Sequence, residues 1–386
     1  MIRWTLAIVA ALLALAAAAV LVVSVINPDR YKGELEDVVH RATGRPFALD
    51  GPLKVTWFPW LGITTGPAHL GNPPGAVGAD LIDWQSAQVK VRLLPLLLHR
   101  ELEVARIRVR GAAVHLRRGP KGQGNWEDLL AWSHAGGGTA ATPVPAIAGL
   151  ALRDSSLDFT DEQTGYRIDL TNWQLSVGAW RPSQPLSVST KFVLHGGSLP
   201  AAGVMIELAF RGMQVQASPL AISAPQVSVD IAGARLRGSA AVNQGSAGLE
   251  AAGVLTATVP SVHGLIRTLA IKARLPEDPR GLGALSLAGQ WSYRGGTLAL
   301  NPLRARLDAT TVSGWIACSA GEQPLWTFAL RADDIDFGLY KTASQVHKPL
   351  EPLLRKLEAL HARGSLELGR VRFQGMTLKD LKLQVQ

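Results

Sequence analysis

Hydrophobic residues form one long run at the N-terminus and then alternate with polar residues over most of the chain. The run from Trp4 to Ile26 carries no charge. A helix of this length spans ~35 Å, which exceeds the ~30 Å hydrocarbon core of a bilayer. Arg3 precedes the run, and Trp4 suits the membrane–water interface. The pattern predicts a transmembrane helix over residues 1–26, with Arg3 and Trp4 at the interface.

A cleaved signal peptide is the alternative, because "ALAAAAV" offers small residues for a cleavage site. The apolar run continues after it as "VLVVSVI", beyond the usual length of a signal peptide's apolar region. We therefore favour an uncleaved signal anchor, with the amino terminus in the cytoplasm and the body outside it. No other run in the sequence approaches membrane-spanning length, so a single anchor is predicted.

The residues after this run predict a short amphipathic helix, which we assign to residues 27–44. Asn27 suits the N-cap and Pro28 the first helical position. Apolar residues then recur at helical spacing, at Tyr31, Leu35, Val38, Val39 and Ala42. Gly44 is a typical residue just beyond a helix C-terminus.

From Phe47 onward the hydrophobic period changes to two, which is typical of half-buried strands. It predicts a β region over 45–132 and a second, β-rich region over 150–386. The stretch "SHAGGGTAATPVPAIAG" between them, residues 133–149, reads as a linker or loop. A helix is expected near 350–362, ended by Gly364, and then three short strands joined by Gly-Arg, Gly-Met and Lys-Asp turns. Because the strand pattern is cut off at Gln386, we expect the protein to continue beyond it.

Composition narrows the function classes. The chain carries a net charge of +9, and its one cysteine excludes an internal disulfide or a cysteine-based metal site. A basic balance suits anionic lipid headgroups or nucleic acid. The basic residues are dispersed through strand patterns, however, and the aromatic residues alternate with aliphatic ones instead of interleaving with Arg and Lys. We therefore expect no nucleic-acid partner.

Residue patterns that carry chemistry are missing from the sequence. The common nucleotide-binding, nucleophile-elbow and zinc-protease motifs do not occur, and the nine histidines are scattered. Asp333, Asp334 and Asp336 could bind a divalent cation. They also fit the end of a strand followed by a helix cap, and this structural interpretation is favoured. We expect neither enzymatic activity nor a cofactor.

Several stretches in fixed order resemble the AsmA family of bacterial envelope proteins. They include "INPDRYKGELEDVVHRATGRPFALDGPLKVTWFPWLGI" (26–63), "LGNPPG" (70–75), "AQVKVRLLPLLLHRELEVARIRVRG" (87–111), "GQGNWEDLL" (122–130) and "LRADDIDFGLY" (330–340). The resemblance implies an inner-membrane anchor, a periplasmic body and a role in outer-membrane biogenesis and lipid homeostasis. It also implies kinship with chorein-type bridge proteins, which carry lipid acyl chains on a curled sheet.

The predicted fold is mainly β with an N-terminal transmembrane helix. A long, twisted, predominantly antiparallel sheet curls into an open groove or incomplete barrel, with short accessory helices. Candidate groove or core residues are Trp173, Leu175, Val177, Trp291, Tyr293, Trp326 and Phe328. Residues that match the family's motifs and are expected to be structural are Phe58, Pro59, Trp60, Leu61, Gly62, Asn125, Trp126, Asp333 and Asp334. In "GNWEDLL" (124–130), Asn125 is expected to cap a single helical turn.

The predicted function is to bind or conduct phospholipid acyl chains, with phospholipid or lipopolysaccharide and other envelope proteins as partners. The physical reason is that a large apolar face on a protein in water needs a cover, which lipid can supply. The alternative is a scaffold or assembly factor that binds unfolded strands of outer-membrane proteins at a sheet edge.

Overall fold

The computed structural model describes residues 28–56, 60–75, 78–92, 104–129, 147–181, 184–217, 220–245, 248–320, 324–340, 361–373 and 376–385. It is mainly β, as the alternation predicts, and it divides into two compact units, residues 1–174 and 175–386. The predicted anchor, with Arg3 and Trp4, lies outside the described residues. Among the residues that are described, no helix is long and apolar enough to cross a membrane.

The first unit begins with a helical segment. A 3₁₀ turn over Pro28–Tyr31 precedes α1, Lys32–Thr43, so the α-helix begins four residues later than the sequence pattern predicts. Gly44 ends it as predicted, at φ +69°, where its backbone N–H donates to the carbonyl of His40. Asp29 and Glu36 accept the backbone N–H groups of Leu53 and Leu49 at 2.9 and 2.8 Å. The helical segment therefore runs antiparallel to the strands that follow it.

Ten strands begin in the first unit: β1 Phe47–Ala48, β2 Leu53–Thr56, β3 Trp60–Thr65, β4 Ala68–Leu70, β5 Ile82–Trp84, β6 Ser86–Arg92, β7 Val104–Arg110, β8 Ala113–Arg118, β9 Leu150–Asp161 and β10 Tyr166–Val177. The pairs β1–β4, β2–β3, β3–β6, β4–β5, β5–β8 and β6–β7 are antiparallel. β9 runs parallel to β7 with its first half and to β8 with its second half.

A line of bends crosses these strands and explains part of the glycine and proline content. Gly51 donates to the Pro67 carbonyl at 2.8 Å, and Gly66 donates to the Pro52 carbonyl at 3.0 Å. A Cβ on Gly51 would overlap the Pro67 ring. Farther along the same line Gly111 has φ +63°, a conformation that favours glycine. The extended segments therefore bend at neighbouring positions, along one line across the sheet.

The last residues of the predicted linker already belong to the sheet. Ile147 bridges to Val104, and the Gly149 carbonyl accepts the N–H of Ile107 at 2.9 Å. The predicted linker or loop therefore ends against the sheet, where residues 147–149 contact β7. Most of the predicted linker lies outside the described residues.

Eleven further strands make up the second unit: β11 Leu186–Gly196, β12 Val204–Ala217, β13 Leu220–Ile231, β14 Ala234–Gly245, β15 Gly248–Val259, β16 Leu285–Arg294, β17 Thr297–Leu307, β18 Thr310–Ser319, β19 Leu325–Asp336, β20 Ala362–Phe373 and β21 Met376–Val385. From β11 to β19 each strand pairs antiparallel with the next one in sequence. β20 then pairs parallel with β19 and antiparallel with β21. A short helix, α2 (Val262–Thr268), lies between β15 and β16.

The C-terminal segment differs from the prediction in two ways. Gly364 does not end a helix but lies in β20 opposite Phe328, where a Cβ would overlap the Phe328 carbonyl oxygen. Two long strands replace the three predicted short ones. The Lys-Asp pair that suggested a turn is an irregularity inside β21, at which Asp380 has φ +52°. The rest of the predicted helix, up to residue 360, lies outside the described residues.

Candidate functional site

One face of the second unit is apolar across all eleven strands, and we call it the apolar face. Residues paired in register form rows that run across the sheet on the same face. One row is Val188, Phe210, Val227, Gly238, Leu255, Gly289, Leu303, Gly314, Leu330, Leu366 and Leu383. The next is Thr190, Leu208, Val229, Leu236, Ala257, Leu287, Ala305, Val312, Ala332, Leu368 and Leu381. Thr190 is the only polar residue in either row.

The opposite face of the same strands is polar. The row between the two apolar ones is Ser189, Ala209, Ser228, Arg237, Thr256, Ala288, Arg304, Ser313, Arg331, Glu367 and Lys382. Ion pairs cross this face: Lys191 contacts Glu207 at 2.6 Å, and Arg294 contacts Glu250 at 3.2 Å. The two faces therefore differ sharply in their affinity for water.

The apolar face is buried at one end of the strands and open at the other. At the closed end Val204, Ala234 and Val259 are 2%, 3% and 8% exposed. At the open end Val215 and Leu298 are 51% and 50% exposed. Among the described residues of the whole chain only fifteen apolar side chains are buried. Most of the apolar face is thus half-covered, and a buried cluster forms on it around Ala332 and Leu368.

Asp308 joins the segments that cover the closed end. Its carboxylate accepts the N–H groups of Leu282 and Gly283, at 3.1 and 2.8 Å, from the loop that follows α2. It also accepts the hydroxyl proton of Tyr340, which lies in a 3₁₀ turn after β19, at 2.9 Å. Burial, together with the hydrogen bond to Asp308, raises the pKa of Tyr340 to about 12. Tyr340 is therefore a neutral donor at physiological pH, and one carboxylate holds two separate segments over the end of the sheet.

Replacing Asp308 by Ala is expected to open this end. The change leaves two backbone N–H groups and one hydroxyl without their acceptor, and such losses cost roughly 1 kcal/mol or more each. We expect faster amide hydrogen exchange at Leu282 and Gly283 and a free energy of unfolding lower by about 2–4 kcal/mol. Asp278→Ala is the control, because Asp278 lies near the same loop but bonds only to Arg280. Equal exchange in both variants would contradict the role of Asp308.

An irregular line crosses the strands of the second unit, at which the register of strand pairing shifts; we call it the crease. The register shifts between Ala224 and Val227, between Gly289 and Trp291 and between Leu300 and Leu303. A Cβ on Gly253 would overlap the Ser239 carbonyl oxygen, so only glycine lets the strands approach so closely. Trp291 reaches across Gly253 and donates its indole N–H to that same oxygen at 3.2 Å. A concavity of about 810 Å³ lies at the crease, lined mainly by Ala, Ser and Gly.

A family model settles the relationship that the motifs suggest. The model of the AsmA family matches residues 1–270, more than half of the chain. The chain belongs to the AsmA family. No curated protein and no solved structure matches it. Membership of the AsmA family indicates an envelope-associated function.

In this AsmA-family chain, four of the predicted groove residues come together on the apolar face. Tyr293 and Trp326 lie in one row, joined through Leu298 and Cys318, and Trp291 and Phe328 lie in the row beside it. Phe328 is buried, whereas the other three are half-buried. The remaining three, Trp173, Leu175 and Val177, are half-buried at alternate positions of β10.

The AsmA motif "GNWED" belongs to a buried polar network in the first unit. Asn125 accepts the Arg117 N–H at 2.9 Å and donates to Asn72 and to the His115 carbonyl at 2.8 and 2.9 Å. It therefore cross-links three segments, and the predicted helix cap is wrong. Trp126 packs edge-on against Phe159, with ring centroids 5.9 Å apart.

Arg45 is the centre of this network, and no local sequence pattern predicts this role. Its side chain is fully buried. It donates to the Gly71 and Asn125 carbonyls at 3.3 and 2.6 Å and forms an ion pair with Asp128, 83 residues away. The hydrogen bond from Arg45 holds the pKa of Asp128 below its ordinary value. The side-chain partners of Arg45 lie 26 to 83 residues away, so only the tertiary structure shows its role.

The other motif residues occupy strands. Leu61 and Gly62 lie in β3, where a Cβ on Gly62 would overlap the Thr56 hydroxyl. Trp60 begins the same strand, and Phe58 and Pro59 lie outside the described residues. The side-chain contacts of Trp60 also lie outside the described structure.

The acidic cluster is structural, and it occupies the last four residues of β19, directly before the 3₁₀ turn Phe337–Tyr340. Asp333 and Asp334 both lie within β19. Asp333 accepts the Thr311 N–H at 2.7 Å, which lowers its pKa, and Asp334 contacts Arg370 and Arg372 at 3.3 and 3.2 Å. Asp336 ends the strand and accepts the Gly338 N–H at 2.9 Å. Within the described ranges, no three His, Cys, Asp or Glu residues are grouped so as to hold a metal ion.

Proposed function

We propose that this AsmA-family protein is anchored in the inner membrane by residues 1–26 and that its periplasmic body holds lipid acyl chains on the apolar face. The observation that carries the proposal is the pair of apolar rows that crosses eleven strands, half-covered and open at one strand end. Phospholipid or lipopolysaccharide would be the ligand. The proposed role is in outer-membrane biogenesis and lipid homeostasis, without catalysis and without a cofactor.

The energetic argument rests on the cost of exposing hydrocarbon to water. Each methylene of an acyl chain gains about 0.8 kcal/mol when it leaves water for an apolar surface. Side chains such as Leu298 and Val215 gain in the same way when an acyl chain covers them. Because the rows continue from strand to strand, an acyl chain that shifts along the sheet exchanges one apolar contact for another. Movement along such a face has no large solvation barrier.

Photocrosslinking in the full chain tests this proposal. A photoreactive phenylalanine analogue replaces either Leu298, on the apolar face, or Arg304, on the polar face of the same strand. In cells labelled with radioactive phosphate, we expect lipid adducts at position 298 and at least tenfold fewer at position 304. Equal adducts at both positions would overturn the proposal.

A different result would favour the alternative function. Adducts with unfolded outer-membrane proteins at either position, together with no lipid adduct, would indicate a scaffold or assembly factor. The two functions differ in what covers the apolar face, and this experiment identifies the cover directly.

A further inference from the structure

Basic side chains line one side of four strands in the first unit. Strands β2, β3, β6 and β7 contain six basic residues and no acidic one. We call the set the basic face: Lys54, Lys90, Arg92, Arg106, Arg108 and Arg110. Lys54 and Arg108 lie in one row across the four strands, through Thr64 and Gln88, and Lys90 and Arg106 lie in the next. Register pairing therefore places these residues on one side of the sheet.

Arg110 contacts Asp154 at 2.9 Å, but the middle of the basic face carries repulsion between like charges. Lys90 and Arg106 are direct cross-strand partners. Like charges in that position destabilise a sheet. Among the described residues, neither of them nor Lys54 has an ion-pair partner. On the second unit, by contrast, basic residues meet acids across the strands, as Lys191 meets Glu207 and Lys382 meets Glu367. The unrelieved repulsion indicates an external anion.

The path of the chain places this surface beside the predicted anchor. Asp29 bonds to Leu53 at the start of β2, whereas Glu36 bonds to Leu49. The segment at Pro28 therefore lies toward one end of the sheet. At that end β2 and β6 have their last residues, and β3 and β7 have their first residues. Lys90 and Arg106 lie within two residues of that end, or ~7 Å along the strands. Residues 1–27 join the described chain at the same end.

We propose that the basic face binds the anionic phospholipid headgroups of the membrane in which residues 1–26 are anchored. The inference rests on the anchor in the proposed function. Lys and Arg side chains near an anionic membrane surface each strengthen association about fivefold, and salt weakens the contribution. The contact holds the first unit against the bilayer and sets the orientation in which the sheet leaves it.

A fluorescence experiment on the full chain in nanodiscs tests this contact. Cys318→Ser removes the one native thiol, and Thr56→Cys places a label in the row of Lys90 and Arg106. Lipids with a headgroup quencher report contact in neutral nanodiscs and in nanodiscs with a third of anionic phosphatidylglycerol. We expect quenching that requires the anionic lipid and decreases at high salt.

Charge substitutions complete the test. Arg106→Gln with Arg108→Gln is expected to weaken the contact about 30-fold, because each of the two charges contributes about fivefold. Arg304→Gln with Arg306→Gln is the matched control, because these residues have the same spacing on β17 of the second unit. It should leave the quenching unchanged.

Two failures are distinguishable. If the chain does not enter nanodiscs of either composition, the anchor is wrong and the inference falls with it. If the chain enters nanodiscs but quenching is the same in neutral and anionic ones, or equal in the two double variants, the anchor stands and the basic face is not a headgroup site. Preserved circular dichroism in the variants excludes loss of folding as the cause.

Discussion

Arg45→Ala is expected to lower the free energy of unfolding of the first unit by about 3–5 kcal/mol. The guanidinium is fully buried and is the donor for two backbone carbonyls and for Asp128. Removing it leaves the carbonyls of Gly71 and Asn125 without a donor and creates a cavity, and both effects destabilise the fold. Urea unfolding followed by Trp fluorescence measures the loss.

Arg41→Ala is the matched control for this substitution. Arg41 lies four residues away on α1, and its side chain makes one exposed hydrogen bond, to the Asp37 carbonyl. Its loss should cost less than about 0.5 kcal/mol. If both alanine variants unfold alike, Arg45 is not the centre of the network.

The Arg45–Asp128 pair also predicts a pH dependence. The pKa of Asp128 is lowered in the folded chain, from an ordinary value of 3.8. Its contribution to stability is therefore complete above that value and is lost as the pH falls through the folded-state pKa. Since the Asp128 side chain is 45% exposed, solvent screening keeps this contribution small. Between pH 7 and pH 3, the free energy of unfolding of Asp128→Asn should therefore change less than that of the unsubstituted chain.

Leu300→Glu is expected to lower the amount of lipid bound to the purified full chain at least tenfold. Leu300 lies in the apolar row between Trp291 and Ile316. An acyl chain over this position would have to bury a carboxylate, which costs several kcal/mol. Phosphate analysis of extracted lipid, with native mass spectrometry, measures the occupancy.

Ala299→Glu provides the control for Leu300→Glu. Ala299 is the preceding residue on β17 and points to the polar face, opposite Ser292 and Ala317. It introduces the same charge into the same strand, so we expect unchanged lipid binding. Equal lipid in the two variants would show that the apolar face is not the binding surface.

The sequence predicts the strands well because successive side chains of a strand point to opposite faces. A sheet with one apolar and one polar face therefore produces the alternation directly. The row that joins Tyr293 and Trp326 was recognisable in part, since aromatic residues at alternate positions mark one face of a strand. Which strands are neighbours is harder to predict. The parallel pairing of β19 with β20 joins segments separated by residues 337–361, and no local pattern specifies such a partner.

The errors share a second cause, because glycine and polar residues have roles that depend on distant contacts. Gly364 looked like a helix end, but the close approach of Phe328 requires a glycine there. Asn125 looked like a cap, but its amide bonds to Asn72 and His115. Arg45 gave no local signal at all. Each of these residues is explained by a neighbour in space that the sequence places far away.

If lipid binds the apolar face as proposed, the difference between the two ends of the β11–β19 strands would give it a fixed polarity. A tail along the strands would meet the segments tied by Asp308 at one end and water at the other. Its charged group would stay in water at the open end, at every position of the tail along the sheet. Transfer from one strand to the next, ~4.8 Å away, would then move the headgroup sideways through water without dehydrating it. Lipids carried in this way would move in single file, all facing the same direction.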